Sequence, residues 1–267
     1  SSIDQLKFRA SYGSIGNQAI NPYQTQALLG RTSYAYDNSA AFGYRPSTIG
    51  NPDLRWETST TLNLGLDFAI WNSRIFGSLE YYITNTSDFT TNIGETQNRG
   101  IELTLSTLNI EKGDFTWSSD IIFTKNTEEI ISLPNGDDIS AGRFIGQPLT
   151  IFYDLKKIGI WQLDEVDEAK SFGSVPGEIR IEDFNGDGVI NSLDRQFLGS
   201  AVADFAIGMT NRFNFKGFDL SFFIFGRFGS MLRSQFHTQN NSLAGRYNNL
   251  DIDYWTPNNP TNSYPRP

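Results

Sequence analysis

The sequence contains no cysteine and only one histidine, His237, among its 267 residues. These absences exclude a disulfide scaffold, a thiolate zinc site, a cysteine nucleophile and a histidine-rich metal site. No run of about 18 apolar residues occurs, so the sequence predicts no transmembrane helix. Basic residues are few as well, since 21 Lys and Arg stand against 30 Asp and Glu, for a formal net charge of -9. A nucleic-acid-binding protein needs a basic face, and this composition argues against one.

Aromatic residues, in contrast, are abundant. The chain has 21 Phe, 11 Tyr and 5 Trp, which together make up 14% of its residues. Disordered chains are poor in aromatic residues, so this chain is expected to be ordered. The many aromatics, the low charged fraction of 19% and the 24 glycines indicate a β-rich protein with many turns and an apolar face.

Apolar and polar residues alternate along seven segments, as they do in a β-strand with one apolar and one polar face. The segments are residues 7–12, 61–70, 74–84, 100–106, 115–124, 204–214 and 218–227. The predicted apolar face contains Leu62, Leu64, Leu66, Phe68, Ile101, Leu103, Leu105, Leu220 and Phe222. The predicted polar face contains Asn63, Asp67, Glu80, Glu102, Thr104, Asp120 and Arg212. The fold class is therefore all-β and antiparallel.

The connections between these segments alternate strictly between short and long. Residues 71–73, 110–113 and 216–217 form tight turns, whereas 14–57, 87–96, 127–201 and the part after Met231 are long. An outer-membrane β-barrel follows this rule, with short periplasmic turns and long extracellular loops. A soluble β-sandwich also has alternating strands, although its strands are usually shorter, near 5–6 residues. Seven strands cannot close a bacterial barrel, so we expect a partial arc of a larger transmembrane barrel.

One segment within the long 127–201 connection has the ligand order of a calcium-binding loop. Residues 183–194 read DFNGDGVINSLD, with Gly188 at the turn position. The candidate ligands are Asp183, Asn185, Asp187, the carbonyl of Val189, Asn191 and Asp194. Asp194 is shorter than the usual Glu at the last position, which lowers the expected affinity. The alternative is a turn rich in Asn, Asp and Gly that binds nothing. A bound Ca²⁺ would be structural, pinning the predicted extracellular loop.

Three other groups of residues carry weaker signals. The acidic residues Asp164, Glu165, Asp167 and Glu168 are adjacent in sequence, which suits a solvated face better than a hydrolase cleft. His237 shows no evident Ser or Asp partner and is predicted to lie in a surface loop. Aromatic residues of the predicted loops would either stack on a ligand or pack the loops together; they are Tyr34, Tyr36, Tyr44, Phe152, Tyr153 and Trp161.

Several segments, in a preserved order, resemble one family. The stretch LKFRASYG at residues 6–13, followed by GNQ at 16–18, and NPDLRWET at 51–58 resemble the SusC/RagA-type TonB-dependent outer-membrane transporters. Further similar segments are GLDF at 65–68, GSLEYY at 77–82, NRGIEL at 98–103, GIWQ at 159–162, PGEI at 176–179 and YWTPNNPTN at 254–262. The resemblance extends over nearly the whole chain.

The resemblance implies that residues 1–267 are part of one barrel domain of about 22 strands, incomplete at both ends. It implies TonB-dependent import of oligosaccharides or peptides across the outer membrane of a Bacteroidota-type Gram-negative cell. It also implies a SusCD-like complex with a SusD-like surface lipoprotein, contact with outer-membrane lipid, and TonB binding through an N-terminal part missing here. No enzymatic activity and no nucleic-acid partner are expected. The alternative is a secreted, calcium-stabilised, glycan-binding β-domain.

Overall fold

The computed structural model of this protein describes residues 2–17, 25–36, 39–47, 55–87, 94–240 and 250–266. Thirteen strands are present in this part of the chain. They are β1 (Ile3–Asn17), β2 (Leu29–Tyr36), β3 (Ser39–Pro46), β4 (Glu57–Ile70), β5 (Ile75–Ser87), β6 (Glu95–Lys112), β7 (Phe115–Ser132), β8 (Ile151–Leu155), β9 (Lys157–Ile160), β10 (Ile179–Ile181), β11 (Arg195–Ser200), β12 (Phe205–Phe215) and β13 (Phe218–Phe228). The α-helices are α1 (Val166–Ser171) and α2 (Gln235–Asn240), and two short 3₁₀ helices span Leu163–Glu165 and Ser192–Asp194.

Seven of these strands form one antiparallel sheet in the order β1-β4-β5-β6-β7-β12-β13. Each of the seven predicted segments coincides with one of these strands, with only Arg74 and Asp204 one residue outside, so the predicted set is confirmed. Most of the strands are longer than the alternating segments, with β6 and β7 reaching 18 residues each. No helix in the described residues is long and apolar enough to cross a membrane.

The register of the sheet separates the two predicted faces. Residues paired across neighbouring strands project from the same face. One such row runs Leu66, Leu79, Leu103, Phe123 and Ile207. A row on the opposite face runs Gly65, Glu80, Glu102 and Thr124. Every residue predicted for the apolar face falls on the first side, and every residue predicted for the polar face falls on the second.

The tight turns use backbone conformations that the turn residues permit. Lys216 and Gly217 have φ values of 47° and 85° and form the two-residue turn between β12 and β13. Trp71, Asn72 and Ser73 all have positive φ in the turn between β4 and β5. Positive φ at successive turn positions matches the twist of a β-hairpin, which keeps these connections short.

Several predicted boundaries are wrong. β1 runs through Asn17, the β2–β3 hairpin lies inside the predicted 14–57 connection, and β6 begins at Glu95, inside the predicted 87–96 connection. The turn between β6 and β7 consists of residues 113–114, because β6 continues through Lys112 and includes Ile110. β7 continues through Ser132, so the long connection predicted over 127–201 begins at residue 133. Residues 127–132 were assigned to the loop because their sequence, TEEIIS, breaks the alternation of apolar and polar residues.

Aromatic pairs mark both margins of the apolar face. Toward the turns, Phe115 packs against Phe215 with ring centroids 6.4 Å apart. Toward the loops, Phe205 stacks on Phe228 at 4.8 Å and on Phe123 at 5.8 Å. Ten residues of β12 separate the two margins, which is about 33 Å along a strand and about 25 Å in height at a tilt near 40°. That height equals the apolar band of an outer-membrane barrel.

The chain divides into two compact units. The first spans Ser1–Leu149 with Asp204–Phe228 and contains the seven-stranded sheet and the β2–β3 hairpin. The second spans Thr150–Ala203 with Gly229–Pro267 and contains the small β9–β10 and β8–β11 sheets and both α-helices. Its core includes Ile160, Trp161, Ala169 and Trp255, each at most 5% exposed. The connection predicted as one long loop is therefore largely folded.

Candidate functional site

The polar face of the sheet carries an ion-pair network across β1, β4 and β5. The guanidinium of Arg9 donates to both carboxylate oxygens of Asp67, at 2.9 and 2.8 Å, and to Glu80 at 2.7 Å. Asn63 donates to the second oxygen of Glu80 at 3.3 Å. The side chains are about a quarter to two fifths exposed. The network fixes charged groups on this face while leaving them in contact with solvent.

A second network crosses β6, β7 and β12. Asp120 accepts a hydrogen bond from Ser106 at 2.6 Å and forms a salt bridge with Arg212. Glu102 lies between the two networks, directly opposite Glu80, and is exposed. The polar face therefore carries charges of both signs, as the wall of a water-filled lumen does.

A cleft of about 570 Å³ lies on the polar face near the turns. Its lining includes Asp67, Phe76, Ser78, Thr104 and Ser106. Ser78 and Thr104 are hydrogen-bonded to each other at 2.7 Å. This cleft offers hydroxyl groups beside one exposed aromatic ring, which suits polar ligands with an apolar surface.

Toward the loops the same face carries mainly hydroxyl and amide groups. The hydroxyl oxygens of Thr61 and Thr84 are hydrogen-bonded at 2.8 Å, and the hydroxyl of Tyr82 donates to the side-chain oxygen of Asn126 at 3.1 Å. The ring of Tyr82 covers Gly100, where an added Cβ would stand 2.5 Å from the tyrosine hydroxyl. Glycine at residue 100 thus allows the ring to lie against the sheet and offer its outer side to the solvent.

On the apolar face, an unexpected polar cluster lies beneath aromatic rings. The indole of Trp117 donates to Asn211 at 3.0 Å, and Ser119 donates to the same oxygen at 2.7 Å. Asn109 donates to Ser119 at 2.7 Å. Trp117 stacks on Phe213 at 5.6 Å. Asn211 and Ser119 are almost fully buried, so internal hydrogen bonds and rings shield these polar groups from the apolar surroundings.

The predicted calcium loop folds as a compact turn in the second unit. The two oxygens of Asp183 accept the backbone N–H groups of Gly186 and Gly188, both at 2.8 Å. Those glycines have φ values of 73° and 81°, which few other residues adopt. Asn185 and Asp187 are hydrogen-bonded to each other at 3.0 Å. The side chains at positions 1, 3 and 5 therefore turn inward within one loop.

Asp194 closes this loop and is fully buried. It accepts the backbone N–H groups of Asn191 at 2.8 Å and Phe184 at 3.0 Å. The hydrogen bond from Asn191 is the main cause of a lowered pKa of the Asp194 carboxyl, and the bond from Phe184 acts in the same direction. Burial opposes them, but the pKa still lies below its usual range. The ionised carboxylate thus ties both ends of the loop together.

The oxygen donors of this loop are of the kind that a hard cation prefers. Their carboxylates, however, are not already grouped around one point. Among the described residues, no three Asp, Glu or His side chains form a group that could hold a metal ion. Asp194 directs both oxygens to backbone N–H groups, and the Val189 carbonyl accepts from Asn191 at 3.2 Å. A bound Ca²⁺ would need mixed ligands from the carboxylates of Asp183 and Asp187, amide oxygens and a carbonyl, which is a usual oxygen set for this ion.

Three of the motif segments, distant in sequence, meet in the core of the second unit. The indole of Trp255 donates to Gln162 at 2.9 Å. Asn262 accepts the backbone N–H of Ile160 at 2.9 Å. The ring of Trp255 covers Gly177, where an added Cβ would stand 2.5 Å from it. GIWQ, PGEI and YWTPNNPTN therefore form one clasp between 159–179 and 254–262, which sequence reasoning had not joined.

The acidic cluster is mainly structural. Arg180 pairs with Glu165 at 2.6 Å and Glu168 at 2.7 Å, and its guanidinium lies 4.3 Å from the centre of the Trp161 ring. Asp164, Asp167 and Glu168 are exposed, in agreement with the predicted solvated face, whereas Glu165 is half-buried. Glu165 and Glu168 also form salt bridges with Arg180, and the sequence did not predict these salt bridges.

The aromatic residues of the predicted loops differ in burial, and some of them pack the loops while others are exposed. Trp161 is buried and stacks on Phe172 at 6.0 Å, and Tyr153 packs on Phe197 at 5.2 Å, so both pack the loops. Tyr34 and Tyr44 are exposed on the β2–β3 hairpin. Phe152 is half-buried on β8, and the side chain of Tyr36 lies outside the described residues.

The prediction for His237 is right about its surface exposure but wrong about its loop position and its lack of a partner. This residue lies on α2, and its Nδ1 is 2.7 Å from the hydroxyl of Ser234. A spacing of three residues at the start of the helix brings the pair together, so the expectation of no serine partner does not hold. The motif residues Gln18 and 51–54 lie outside the described residues.

The chain matches a family model, and its relatives share that description. Residues 2–162 match the model "TonB dependent receptor-like, beta-barrel". TonB-dependent receptor P26 of Formosa agariphila is 31% identical over 98% of this chain and 30% of its own length. TonB-dependent receptor SusC of Bacteroides thetaiotaomicron is 29% identical over 82% of this chain and 24% of its own length. The chain thus spans less than a third of these relatives.

A solved structure confirms the fold. The structure described as the RagAB peptide transporter superimposes with a TM-score of 0.73, over 99% of this chain and 31% of the other, at 23% identity. The relatives found are receptors and transporters, which is consistent with the expectation of no enzymatic activity. The family match, the two-faced antiparallel sheet and its apolar band agree, and the chain belongs to the SusC/RagA-type TonB-dependent receptors, as part of an outer-membrane β-barrel.

Proposed function

We propose that this chain is a wall segment of an importer that carries oligosaccharides or peptides across the outer membrane. The sheet register carries this proposal, because it places an apolar band on one face and paired charges, hydroxyls and amides on the other. A lipid-facing wall and a polar passage require that division. The structure described as the RagAB peptide transporter supports the peptide class, whereas the oligosaccharide class rests on the sequence resemblance alone.

The whole importer would act in a SusCD-like complex. Its partner would be a SusD-like surface lipoprotein, and TonB would engage a part of the parent protein that precedes this chain. The relationship to SusC and RagAB supports this assembly. A secreted glycan-binding domain is less well supported, because an isolated sheet with this apolar face would aggregate in water.

Uptake by whole cells tests the proposal. Cells with and without the parent gene are given fluorescent oligosaccharides or fluorescent peptides, with and without a protonophore. We expect gene-dependent uptake of one class, and we expect the protonophore to abolish it. Equal uptake by both strains for every probe would refute import. Gene-dependent uptake that resists the protonophore and persists without TonB would refute the coupling to TonB.

We also propose that the 183–194 loop binds one structural Ca²⁺. The oxygen donors of Asp183, Asn185 and Asp187, in the spacing of a calcium loop, support this. Calorimetric titration of the purified parent protein with Ca²⁺ tests it. Asp187→Ala should abolish the binding heat, whereas Asp167→Ala, an exposed acid outside the loop, should leave it unchanged. Identical titrations for both variants would place the ion elsewhere or exclude it.

A further inference from the structure

Two cations lie on the apolar face, where charge is costly. Arg99 pairs across the sheet with Ile83 and Thr127, and Lys125 pairs with Ile101. These pairings place both cations on the side of Leu103 and Phe123. Both side chains are exposed. A cation on a lipid-facing strand is destabilising at mid-depth and nearly neutral at the interface, so these two require an interfacial position.

Their depth agrees with that requirement. Lys125 is ten residues from Phe115, which marks the turn-side margin, and this corresponds to about 25 Å in height. Phe123, the next residue inward on the same face, stacks on Phe205 in the loop-side aromatic group. Lys125 therefore lies at the loop-side aromatic margin and Arg99 just beyond it, both at headgroup depth, and long side chains of this kind extend toward the water.

The two cations are close enough to act together. Because Arg99 faces Thr127 and Lys125 faces Ile101, they are diagonal neighbours, with Cα atoms about 7–8 Å apart. Tyr81 is separated from Lys125 by Ile101, is a diagonal neighbour of Arg99 on the same face, and is 40% exposed. Two long cationic side chains and a hydroxyl over this distance match the size of one phosphate group.

Little negative charge neutralises this group. Glu129 contacts Arg99 at 4.0 Å, the outer limit of an ion pair, and lies nearer the loop end of β7. Within the described part of the chain, Lys125 forms no salt bridge. A chain with a net charge of -9 thus keeps an exposed basic group on its lipid-facing wall.

We propose that Arg99, Lys125 and Tyr81 form a site for the phosphate of an anionic lipid in the outer leaflet. Basic groups next to the hydrocarbon region bind anionic headgroups, with a gain of about fivefold in affinity for each cation. The apolar band below the site, formed by Ile101, Leu103 and Phe123, receives the acyl chains. The site is independent of cargo transport.

Lipid retention by the purified parent protein tests this site. The protein in neutral detergent is mixed with phosphorylated lipid A or with dephosphorylated lipid A, and bound lipid is counted by native mass spectrometry. We expect selective retention of the phosphorylated form. The double variant Arg99→Gln/Lys125→Gln should lose about 25-fold in affinity. Arg99→Lys/Lys125→Arg keeps both charges and should retain most of the binding.

Matched controls separate the site from general charge effects. Lys112→Gln/Lys216→Gln removes the same charge at the turn-side margin and should leave retention unchanged. An equal loss in this control, or equal retention of both lipid forms, would overturn the proposal. Displacement by millimolar inorganic phosphate alone would also overturn it, because the site would then bind free phosphate. A heat-modifiability gel shows that each variant has folded.

Discussion

Trp117 donates its indole N–H to Asn211 at 3.0 Å, across the β7–β12 pair and on the apolar face of the sheet. The same amide oxygen accepts from Ser119, so one buried oxygen satisfies two donors. Polar groups on a lipid-facing wall are tolerated only when they are hydrogen-bonded within the protein. Near the turns, the aromatic rings of the apolar face therefore lie over a hydrogen-bonded polar cluster.

Replacing the acceptor should cost more than replacing one donor. Asn211→Leu leaves the buried hydroxyl of Ser119 and the half-buried indole N–H of Trp117 without their acceptor, and it should lower the free energy of unfolding by about 1–3 kcal/mol. Trp117→Phe keeps the stack on Phe213 and removes one donor, so the loss should be nearer 1 kcal/mol. Urea unfolding of the parent protein in lipid vesicles measures both. A larger loss for Trp117→Phe than for Asn211→Leu would contradict the central place given to the Asn211 oxygen in this cluster.

The two faces should differ sharply in their tolerance of charge. Leu64→Arg places a cation on the apolar face and should cost about 2–4 kcal/mol near the midplane. Asn63→Arg, one residue earlier, places the same group beside Glu80 on the polar face and should be tolerated. Vesicle-based unfolding of both variants provides the comparison. Equal losses for this adjacent pair would mean that the face assignment is wrong.

The network around Arg9 should act as a unit. Arg9→Gln leaves Asp67 and Glu80 without their main partner, so the unfolding midpoint should fall. Asp67→Asn alone should also lower it, but its effect should shrink in the Arg9→Gln background, because the interaction is already lost. A double-mutant cycle on the parent protein measures this coupling. Strictly additive shifts would show that the contacts contribute nothing to stability.

The clasp of the second unit depends on glycine at residue 177. Gly177 has a φ of 88°, which is unfavourable for alanine. In Gly177→Ala the added Cβ would also stand 2.5 Å from the Trp255 ring, so the variant should be destabilised by both backbone strain and a steric clash. Gly173→Ala has a similar φ of 71° but meets nothing within 4 Å, and it should show the backbone cost alone, about 1 kcal/mol. Limited trypsin digestion should cut the 150–203 segment faster in Gly177→Ala than in this control.

Acid should open the 183–194 loop. The lowered pKa of Asp194 means that its carboxylate stabilises the loop above the ordinary pKa of 3.8, and that this contribution is lost as the pH falls through the lower folded value. Hydrogen exchange of residues 184–194, measured between pH 5 and pH 2 after correction for intrinsic rates, should rise below about pH 4. Asp194→Asn should exchange quickly throughout. A wild-type profile without this rise would contradict the assignment.

The strands of the main sheet could be predicted from the sequence because their signal is local. Leu62, Leu64 and Leu66 alternate with polar residues, and the turn at Lys216 and Gly217 follows from two adjacent positions. The hairpin of β2 and β3 was missed, since it is short and exposed on both faces and lies inside a segment assigned to a loop. Its residues show little alternation of apolar and polar character.

The site features that escaped prediction all depend on pairs far apart in sequence. Alternation places Asn211 and Ser119 on the apolar face, but only the register shows that they meet. Likewise, Trp255 and Gln162 each look like isolated polar or aromatic loop residues, and their contact spans 93 positions. Arg99 and Lys125 break the alternation of their strands, and a search for charged residues on the apolar side would have found them.

The pairing of β7 with β12 has a consequence for the order of folding. These strands are neighbours in the sheet although residues 133–204 separate them, and closing so long a flexible loop is entropically costly. Within the second unit, however, the hydroxyl of Ser200 donates to the Thr150 carbonyl at 2.8 Å, and Ala201 donates its N–H to the same oxygen. Once that unit has folded, about 20 flexible residues remain to be closed instead of about 70, which lowers the entropic cost by about 1 kcal/mol. Early folding of the second unit would therefore speed the addition of β12 and β13 to the growing sheet.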